Sequence, residues 1–342
     1  MTTATSSASV IKRAMEILQR AREICDQLLQ EAISTLPDPL NRMACYQFGW
    51  RDATGLPLNT EPGKALRPAL VLAAAACCGA RSKATHCAAA VELVHNFTLI
   101  HDDIMDADDT RRGRPTIWKL WGVADAVLVG DALHALAANV LANGLPDALA
   151  SEAIVRLETT VGEMCRGQHE DCALDIGRIT VEKYIRMAMG KTGALMGCAC
   201  ALGALCAGAD NNPMISTMDR FGRQLGLAFQ FVDDLIGIWG DPEITGKPTD
   251  DLARRKLSLP VVAALTSGTK AAAELAAMYR EDTPWDQEAV KRATALIEAA
   301  GGRLWTQQHA DRLIRDAINA LPHHAASDDL MVLAHMISRR ER

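Results

Sequence analysis

Three aspartates stand where helix electrostatics disfavour them. Asp102, Asp103 and Asp106 lie in the run Leu-Ile-His-Asp-Asp-Ile-Met-Asp at 99–106, which closes an apolar helical stretch. Carboxylates near a helix C-terminus face the negative end of the helix dipole and repel one another. A second run, Phe-Gln-Phe-Val-Asp-Asp at 229–234, closes another long apolar segment in the same way. Both clusters make physical sense if cations lie between them, so the sequence predicts a metal-dependent enzyme.

The spacing within the first cluster favours magnesium. Asp102 and Asp106 are four residues apart and share one face of a helix, whereas Asp103 points about 100° away. Hard carboxylate oxygens, completed by water and substrate oxygens, suit Mg²⁺, which prefers partly hydrated sites with phosphate co-ligands. Manganese is the natural substitute. No set of histidines and cysteines competes for zinc, so Mg²⁺ is the predicted cofactor.

Arginines follow the first cluster directly, in Thr-Arg-Arg-Gly-Arg-Pro-Thr at 110–116. Guanidinium groups donate paired hydrogen bonds to phosphate oxygens, and the Gly and Pro favour a turn that fixes them. A diphosphate site needs carboxylates that hold Mg²⁺ and arginines that bind phosphate oxygens, and this short segment supplies both. Other basic candidates lie elsewhere in the chain, at Lys64, Arg67, Lys191, Lys247 and Lys256.

Several of these candidates have an ordinary structural alternative. Lys64 and Arg67 could be ordinary solvent-exposed residues in the first turn of a helix. His95 could be a buried histidine with its hydrogen bonds satisfied, and residues 254–256 could form a basic surface loop. The aspartate spacing combined with Arg111 and Arg112 has no comparable alternative. The functional interpretation therefore depends mainly on 102–112.

The composition limits the classes of protein. The chain has 342 residues, is 49% hydrophobic but only 4% aromatic, and carries a net charge of −6. Few aromatics and many Ala and Leu argue for helix throughout, and the acidic balance argues against nucleic-acid binding. Ten cysteines without CxxC spacing fit small buried side chains in a reducing cytoplasm. Residues 193–209 are uncharged, but Gly, Ala and Cys predict a buried helix there, and no transmembrane segment is expected.

Apolar periodicity near 3.6 residues recurs almost from end to end, which predicts a single all-α domain over 9–342. Residues 1–8 are polar and are expected to be disordered, and Thr180 is a predicted N-cap. The predicted helices are 9–35, 63–78, 84–106, 123–143, 147–173, 181–209, 215–240, 258–267, 269–279, 287–300, 303–321 and 328–340. The sequence thus predicts a bundle of long helices around a central cavity.

These motifs, in this order, resemble the trans-isoprenyl diphosphate synthases (polyprenyl synthetases) over nearly the whole chain. Within that family the phrases Val-Glu-Leu-Val-His-Asn-Phe-Thr at 91–98 and Asp-Asp-Leu-Ile-Gly-Ile-Trp-Gly-Asp at 233–241 are most similar to actinobacterial-type geranylgeranyl diphosphate synthases. The resemblance implies condensation of isopentenyl diphosphate with allylic diphosphates (dimethylallyl, geranyl, farnesyl) and release of diphosphate. It also implies a homodimer, for which the Ala-rich helix after Val123 offers small packing residues.

The resemblance implies a role for each group of residues. Isopentenyl diphosphate would be held by Lys64, Arg67, His95 and Arg112. The metal ligands would be Asp102, Asp106 and Asp233, supported by the acidic residues Asp103, Asp234 and Asp251. The allylic diphosphate would be contacted by Arg111, Lys191, Thr192, Gln230, Lys247 and Lys256. Two further residues, Gln168 and Asp171, would line the site.

The second acidic motif departs from the family pattern. The usual third aspartate is replaced by Gly237, so no ligand is expected at this position. Asp241 lies too far along the chain to be assumed as its replacement. An ion bound mainly by Asp233 can fill its shell with water, so activity is expected to survive.

Product length is expected to depend on the residues one turn before Asp102. In the family these residues floor the channel that holds the growing tail, and here they are Phe97 and Thr98. One aromatic beside one small residue predicts a floor that is deeper than in farnesyl synthases yet closed, and therefore a twenty-carbon product. The alternatives are a farnesyl or other short-chain synthase, a class I terpene cyclase, or a non-catalytic subunit of a heteromeric synthase.

Overall fold

The computed structural model describes residues 4–58, 63–80, 84–208, 212–241, 249–281, 283–322 and 327–338. Within these ranges helix dominates, and the strands are two residues long. The predicted all-α class is therefore confirmed. The chain divides into two compact units, each described by itself, and the single-domain organisation stays a prediction.

The first unit comprises Met1–Val161, Leu195–Asp219 and Pro322–Val332. Its early helices are α1 (Ala4–Ser34), α2 (Leu40–Gln47), α3 (Leu66–Cys77) and α4 (Thr85–Met105). A hairpin of β1 (Thr110–Arg111) and β2 (Arg114–Pro115) follows, then α5 (Ile117–Trp121), α6 (Val123–Gly144) and α7 (Asp147–Cys172) up to residue 161. The unit also takes most of α9 (Ala194–Leu205) and the first residues of α10 (Asn212–Trp239).

Helix α4 lies at the centre of this unit and packs against α1, α3 and α6. Its buried residues include an Ala-Ala-Ala run at 88–90, and small side chains let neighbouring helices approach closely. A similar close approach joins α9 to α3, because a Cβ at Gly203 would lie 2.3 Å from the Val71 carbonyl oxygen. The acidic end of α4 is thus carried by a closely packed helix at the centre of the unit.

The second unit comprises Gly162–Ala194, Arg220–Leu321 and Leu333–Arg342. It contains the end of α7, then α8 (Val181–Ala188), a π-helical turn (Met189–Gly193) and most of α10. Four helices follow: α11 (Leu259–Leu265), α12 (Lys270–Arg280), α13 (Gln287–Ala299) and α14 (Gly302–Asn319). Helix α15 (Asp328–Ser338) is divided between the units at residue 332. Helix α11 packs against α8, α12, α13 and α14, so it forms the centre of this unit.

The structure corrects several predicted boundaries. Helix α1 begins at Ala4, so 4–8 are helical although disorder was expected there. Residues 63–65 precede α3 as a loop, because Ala65 has a left-handed conformation (φ 51°). Helix α2, α5 and the π-helical turn were not predicted. Thr180 is confirmed as the N-cap of α8, since its hydroxyl accepts a hydrogen bond from the Lys183 amide at 3.2 Å.

Two helical stretches, Val123–Gly144 and Val181–Leu205, are long and apolar enough to cross a membrane by length and composition. The second has 89% of its apolar window buried within the protein, as a core helix would. The first has only 39% of its window buried, and its exposed apolar side chains include Val127 and Leu128.

Candidate functional site

The first unit carries the first aspartate cluster at the end of α4. Asp102 lies in the last turn and Asp106 is the C-cap, whose amide donates to the Asp102 carbonyl at 2.8 Å. The two carboxylates are therefore one helical turn apart, and both are solvent-accessible. Among the residues that the structure describes, no three acidic, His or Cys side chains form a metal-binding group by themselves. The donor set fits a hard divalent ion that shares its shell with water and diphosphate oxygens.

Asp103 differs from its two neighbours because it is buried, with 2% exposure, and binds Arg111. The Nε and Nη2 atoms of Arg111 both lie 2.6 Å from Asp103 Oδ1. Burial raises the pKa of Asp103, and the Arg111 hydrogen bonds oppose this shift. Asp103 therefore anchors the following arginine turn, and two nitrogens of the Arg111 guanidinium are engaged with this carboxylate.

The arginine turn is a tight hairpin whose central residues, Arg112 (φ 52°) and Gly113 (φ 72°), both have left-handed conformations. Positive φ at both central residues is typical of a two-residue hairpin turn. Tyr46 of α2 anchors the second strand, because its hydroxyl donates to the Pro115 carbonyl at 2.7 Å and its ring lies under Arg114. The turn thus holds Arg112 in a fixed position.

Arg112 lies directly over the backbone before α3. A Cβ at Gly63 would be 2.6 Å from its Nη2, so only glycine leaves room for the guanidinium there. Arg22 of α1 donates to the Gly63 carbonyl at 2.6 Å and fixes this loop. Lys64 follows next and is exposed. The structure therefore brings Lys64 and Arg112, which are far apart in sequence, to one place in the first unit.

Arg67 and His95 complete this cationic pocket. Arg67 Nη1 lies 3.0 Å from His95 Nε2, and because a guanidinium only donates, this nitrogen accepts. Burial, followed by the charges of Arg67, Arg112 and Arg111, lowers the pKa of His95 well below its ordinary value. His95 is therefore a neutral ring that orients Arg67, with Nδ1–H as its own remaining donor.

Of the two predicted floor residues, Phe97 is buried beside α6 and Thr98 is partly exposed. Phe97 has 7% exposure, and its ring stacks on that of His134, with centroids 5.0 Å apart and 19° between planes. His134 Nε2 lies 2.8 Å from Glu158 Oε2, which holds the imidazole in place. Thr98 donates its hydroxyl to the His95 carbonyl at 2.9 Å. His134 was not predicted as a site residue, because no local sequence pattern links it to Phe97.

The second unit carries the second aspartate cluster, in which neighbouring carboxylates have different environments. Asp234 is 1% exposed and accepts hydrogen bonds from Tyr184, from Gln230 Nε2 at 3.0 Å and from the Leu259 amide at 3.0 Å. It thereby caps the N-terminus of α11. Asp233 is only partly buried. Asp234 therefore connects α8, α10 and the start of α11, and its support of the metal ligands stays a prediction.

The hydrogen bonds of Asp234 continue to the π-helical turn. Gln230 accepts from the Thr192 hydroxyl at 2.8 Å, and Lys191 Nζ lies 2.5 Å from Asp171 Oδ2. Helix α7 approaches this turn closely, since a Cβ at Gly167 would lie 2.3 Å from the Lys191 amide nitrogen. π-helical turns inside helices are frequent at functional sites. Four predicted residues, Asp171, Lys191, Thr192 and Gln230, are therefore gathered in one place.

Three further predicted residues follow in the second unit. Gln168 is buried, and its Oε1 has no hydrogen-bond partner among the described residues. Asp251 is 5% exposed and lies against Gly237. Burial disfavours the charge of Lys256, but Asp251 and Asp234 outweigh it and raise the pKa of this lysine. Lys247 lies outside the described residues.

Comparison with known proteins identifies the family. The sequence pattern of "Polyprenyl synthetase" matches residues 56–297. The chain belongs to the polyprenyl synthetase family. It is 53% identical over 328 residues to the geranylgeranyl diphosphate synthase of Mycobacterium tuberculosis, covering 95% of this chain and 93% of that relative.

Solved structures agree with this assignment. A polyprenyl synthetase from Streptomyces coelicolor A3(2) superposes with a TM-score of 0.88 at 42% identity and covers 94% of this chain and 98% of its own. A polyprenyl synthase from Caulobacter crescentus CB15, complexed with calcium and isoprenyl diphosphate, has a TM-score of 0.82 at 28% identity, covering 96% and 98%. Members of this family are typically dependent on divalent metals. The fold predicted from the sequence is confirmed.

Proposed function

We propose that this polyprenyl synthetase transfers an allylic prenyl group to isopentenyl diphosphate and that geranylgeranyl diphosphate is its main product. One observation carries the proposal: the first unit holds a metal-type carboxylate pair, Asp102 and Asp106, and also a separate cationic pocket built from Arg67 and Arg112. Two sites for diphosphates are what a condensation of two diphosphates requires. A terpene cyclase binds one diphosphate and does not need the second pocket.

Isopentenyl diphosphate is assigned to the cationic pocket. Arg112 is held by the hairpin, Arg67 is oriented by neutral His95, and exposed Lys64 adds an ammonium group. Guanidinium groups fixed in this way donate paired hydrogen bonds without reorganising when the ligand arrives.

By the family resemblance, Asp102 and Asp106 of the first unit would hold magnesium ions that bind the allylic diphosphate, and Asp233 of the second unit would be a further magnesium ligand. When bound, Mg²⁺ neutralises the diphosphate oxygens and makes the diphosphate a better leaving group. The side chains proposed to contact this diphosphate are Arg111, Lys191, Thr192, Lys247 and Lys256. Gln230 fixes Thr192, and Asp171 fixes Lys191, at the distances given above.

The reaction follows from charge neutralisation and exclusion of water. The bond between the allylic carbon and the diphosphate oxygen breaks, and the cationic side chains stabilise the charge that develops on the departing diphosphate. The double bond of isopentenyl diphosphate then forms the new carbon–carbon bond, and the released diphosphate accepts the proton that is lost. Apolar walls such as Phe97 keep water from the allylic cation.

Phe97 supports the assignment of a twenty-carbon product. Its ring is buried and stacked on His134, which supports the proposal that one aromatic side chain closes the channel floor at this level. The small Thr98 beside it leaves more depth than a second aromatic would. A farnesyl-type product is the alternative.

We further propose that the protein is a cytoplasmic homodimer. None of the ten cysteines, all of which lie in the described ranges, forms a disulfide bond, which suits a reducing compartment. Helix α6 exposes the apolar side chains Val123, Val127 and Leu128 at 50%, 38% and 55%, and a second copy could cover them.

The decisive experiment uses the purified single chain with Mg²⁺, isopentenyl diphosphate and each allylic starter in turn, followed by product sizing. A twenty-carbon diphosphate supports the proposal, and a fifteen-carbon limit supports the farnesyl alternative. Hydrocarbon formed from geranylgeranyl diphosphate alone would indicate a cyclase. Absence of turnover by the folded single chain would indicate a subunit that needs a partner.

A further inference from the structure

An acid beside the cationic pocket of the first unit has no part in the reaction described above. Glu92 lies on α4 one turn before His95, and with Arg22, Asn96 and Arg112 it lines a cavity that shares Arg112 with the cationic pocket. Asn96 Nδ2 donates to Glu92 Oε1 at 3.3 Å and to the Glu92 carbonyl at 2.9 Å. Gln47 of α2 donates in turn to Asn96 Oδ1 at 3.4 Å. The Glu92 carboxyl group is therefore held in one position beside the arginines.

The charges that face Glu92 come from three elements. Helix α3 contributes Arg67, the hairpin contributes Arg112, and α1 contributes Asp26 and Arg22. On α4 itself His95 is uncharged, as argued above. In the free protein the Glu92 carboxylate thus balances part of the positive charge that the pocket keeps for its ligand.

We propose that Glu92 takes up a proton from solvent when isopentenyl diphosphate binds, so that substrate binding and protonation of this side chain are coupled. The inference rests on the proposed function, which places this diphosphate against Arg67 and Arg112. The ligand phosphates bring several negative charges to the same two guanidinium groups. Glu92 then faces a nearby anion without its counter-charges, and its neutral form becomes the more stable one.

The environment of Glu92 already favours this change. Burial raises the pKa of Glu92 above its ordinary value, whereas Arg67 and Arg112 lower it. When a bound ligand neutralises those two charges, they no longer oppose the effect of burial. The pKa of Glu92 is therefore higher in the complex than in the free protein. By linkage, affinity for isopentenyl diphosphate then rises as pH falls through the interval between the free and bound pKa values of Glu92.

The test is calorimetric titration of the intact protein with isopentenyl diphosphate, without allylic substrate. Titrations are run from about pH 5 to 8 in pairs of buffers with different ionisation enthalpies. The slope of binding enthalpy against buffer enthalpy counts the protons taken up. Since the ligand itself also titrates, the wild type is compared with Glu92→Gln, which keeps the Oε1 acceptor for Asn96. We expect the wild type to take up more protons, by a difference that approaches one per ligand.

Asp26→Asn is the matched control, because Asp26 is the other carboxyl that lines the cavity beside Arg112. It should keep the uptake of the wild type, and loss of uptake in this variant would overturn the assignment to Glu92. Equal uptake by wild type and Glu92→Gln would also overturn it. If neither the wild type nor either variant binds isopentenyl diphosphate, the proposed function is wrong. This outcome is distinct from equal proton uptake, which contradicts only the role of Glu92.

A spectroscopic measurement avoids dependence on any variant. In the infrared difference spectrum of the wild type, ligand binding should produce a new band of a protonated carboxyl group. That band should shift when glutamate, but not aspartate, carries ¹³C in its carboxyl group. A spectrum without such a band would contradict the coupling.

Discussion

The Asp251 carboxylate occupies the space that a side chain at Gly237 would fill. A Cβ built at residue 237 would lie 1.9 Å from Asp251 Oδ2 and 2.5 Å from its Cγ. Asp251 is 95% buried, as its exposure is 5%, and its Oδ2 has no hydrogen-bond partner within the described ranges. The missing aspartate of the second motif is thus matched by a carboxylate from the following loop, and the glycine is required to admit it.

We therefore expect Gly237→Asp to impair the protein, although it restores the family pattern. The added carboxylate would collide with Asp251 and place two buried like charges in contact. Activity with saturating Mg²⁺ should fall at least tenfold. The double variant Gly237→Asp with Asp251→Gly should recover part of the loss. Activity of Gly237→Asp equal to that of the wild type would contradict the steric argument.

Gly237→Ala tests the contact by stability alone. Residue 237 lies inside α10, where replacing Gly by Ala normally stabilises a helix by about 1 kcal/mol. Here the Cβ meets a buried carboxylate, so we expect a lower melting temperature than that of the wild type. The same exchange at Gly162 of α7, where nothing lies within 4 Å of the added Cβ, is the control and should be stabilising.

Asp233 and Asp234 should respond differently to the same substitution. Asp233→Asn should cost orders of magnitude in activity with little change in melting temperature, because this carboxylate is proposed to hold Mg²⁺. Asp234→Asn removes the charged acceptor of three buried hydrogen bonds and should destabilise the fold by on the order of 3 kcal/mol. Thermal unfolding and steady-state rates distinguish the two cases. Full wild-type activity in excess chelator would refute the metal assignment.

The different environments of Asp233 and Asp234 could not be predicted from the sequence, although most of the helices could. The 3.6-residue periodicity of apolar residues predicted the central part of most helices. Each long helix either buries one face or is surrounded by other helices on all sides. Helix α2 was missed because it has only eight residues, among them Asn41, Arg42 and Gln47. Which aspartate caps α11, and which carboxylate lies at Gly237, depend on contacts between residues 14 to 25 positions apart. A local pattern cannot specify such contacts.

The neutrality of His95 makes the fold sensitive to acid. The pKa of this histidine is lower in the folded protein than in the unfolded chain, so its contribution to stability is present above the unfolded value. This contribution to stability is lost as pH falls through the pKa of His95 in the folded protein, because protonation of the ring removes the acceptor for Arg67. His95→Gln keeps an acceptor without a titratable ring. Its melting temperature should therefore fall less than that of the wild type on acidification, and an identical fall would count against a neutral His95.

The exposed face of α6 should mediate dimer formation. Leu128→Glu puts a charge on this apolar face, where the side chain is 55% exposed. We expect the wild type to be a dimer by light scattering at micromolar concentration and the variant to dissociate. Leu304→Glu is the control, because this leucine is 62% exposed on α14 and should leave the dimer intact. A monomeric wild type would refute the proposed assembly.

Phe97 and His134 should together determine product length. The stacked rings fill the volume below the proposed channel, and Phe97→Ala would leave a void of about the size of a phenyl ring that a longer prenyl tail can occupy. We expect Phe97→Ala to extend the main product beyond twenty carbons and Thr98→Phe to shorten it toward fifteen. His134→Ala should lengthen products more weakly, because it removes only the support beneath Phe97. Products are sized by chromatography after dephosphorylation. If a folded and active Phe97→Ala variant keeps the wild-type product, the floor lies elsewhere and the stacking argument for twenty carbons is wrong.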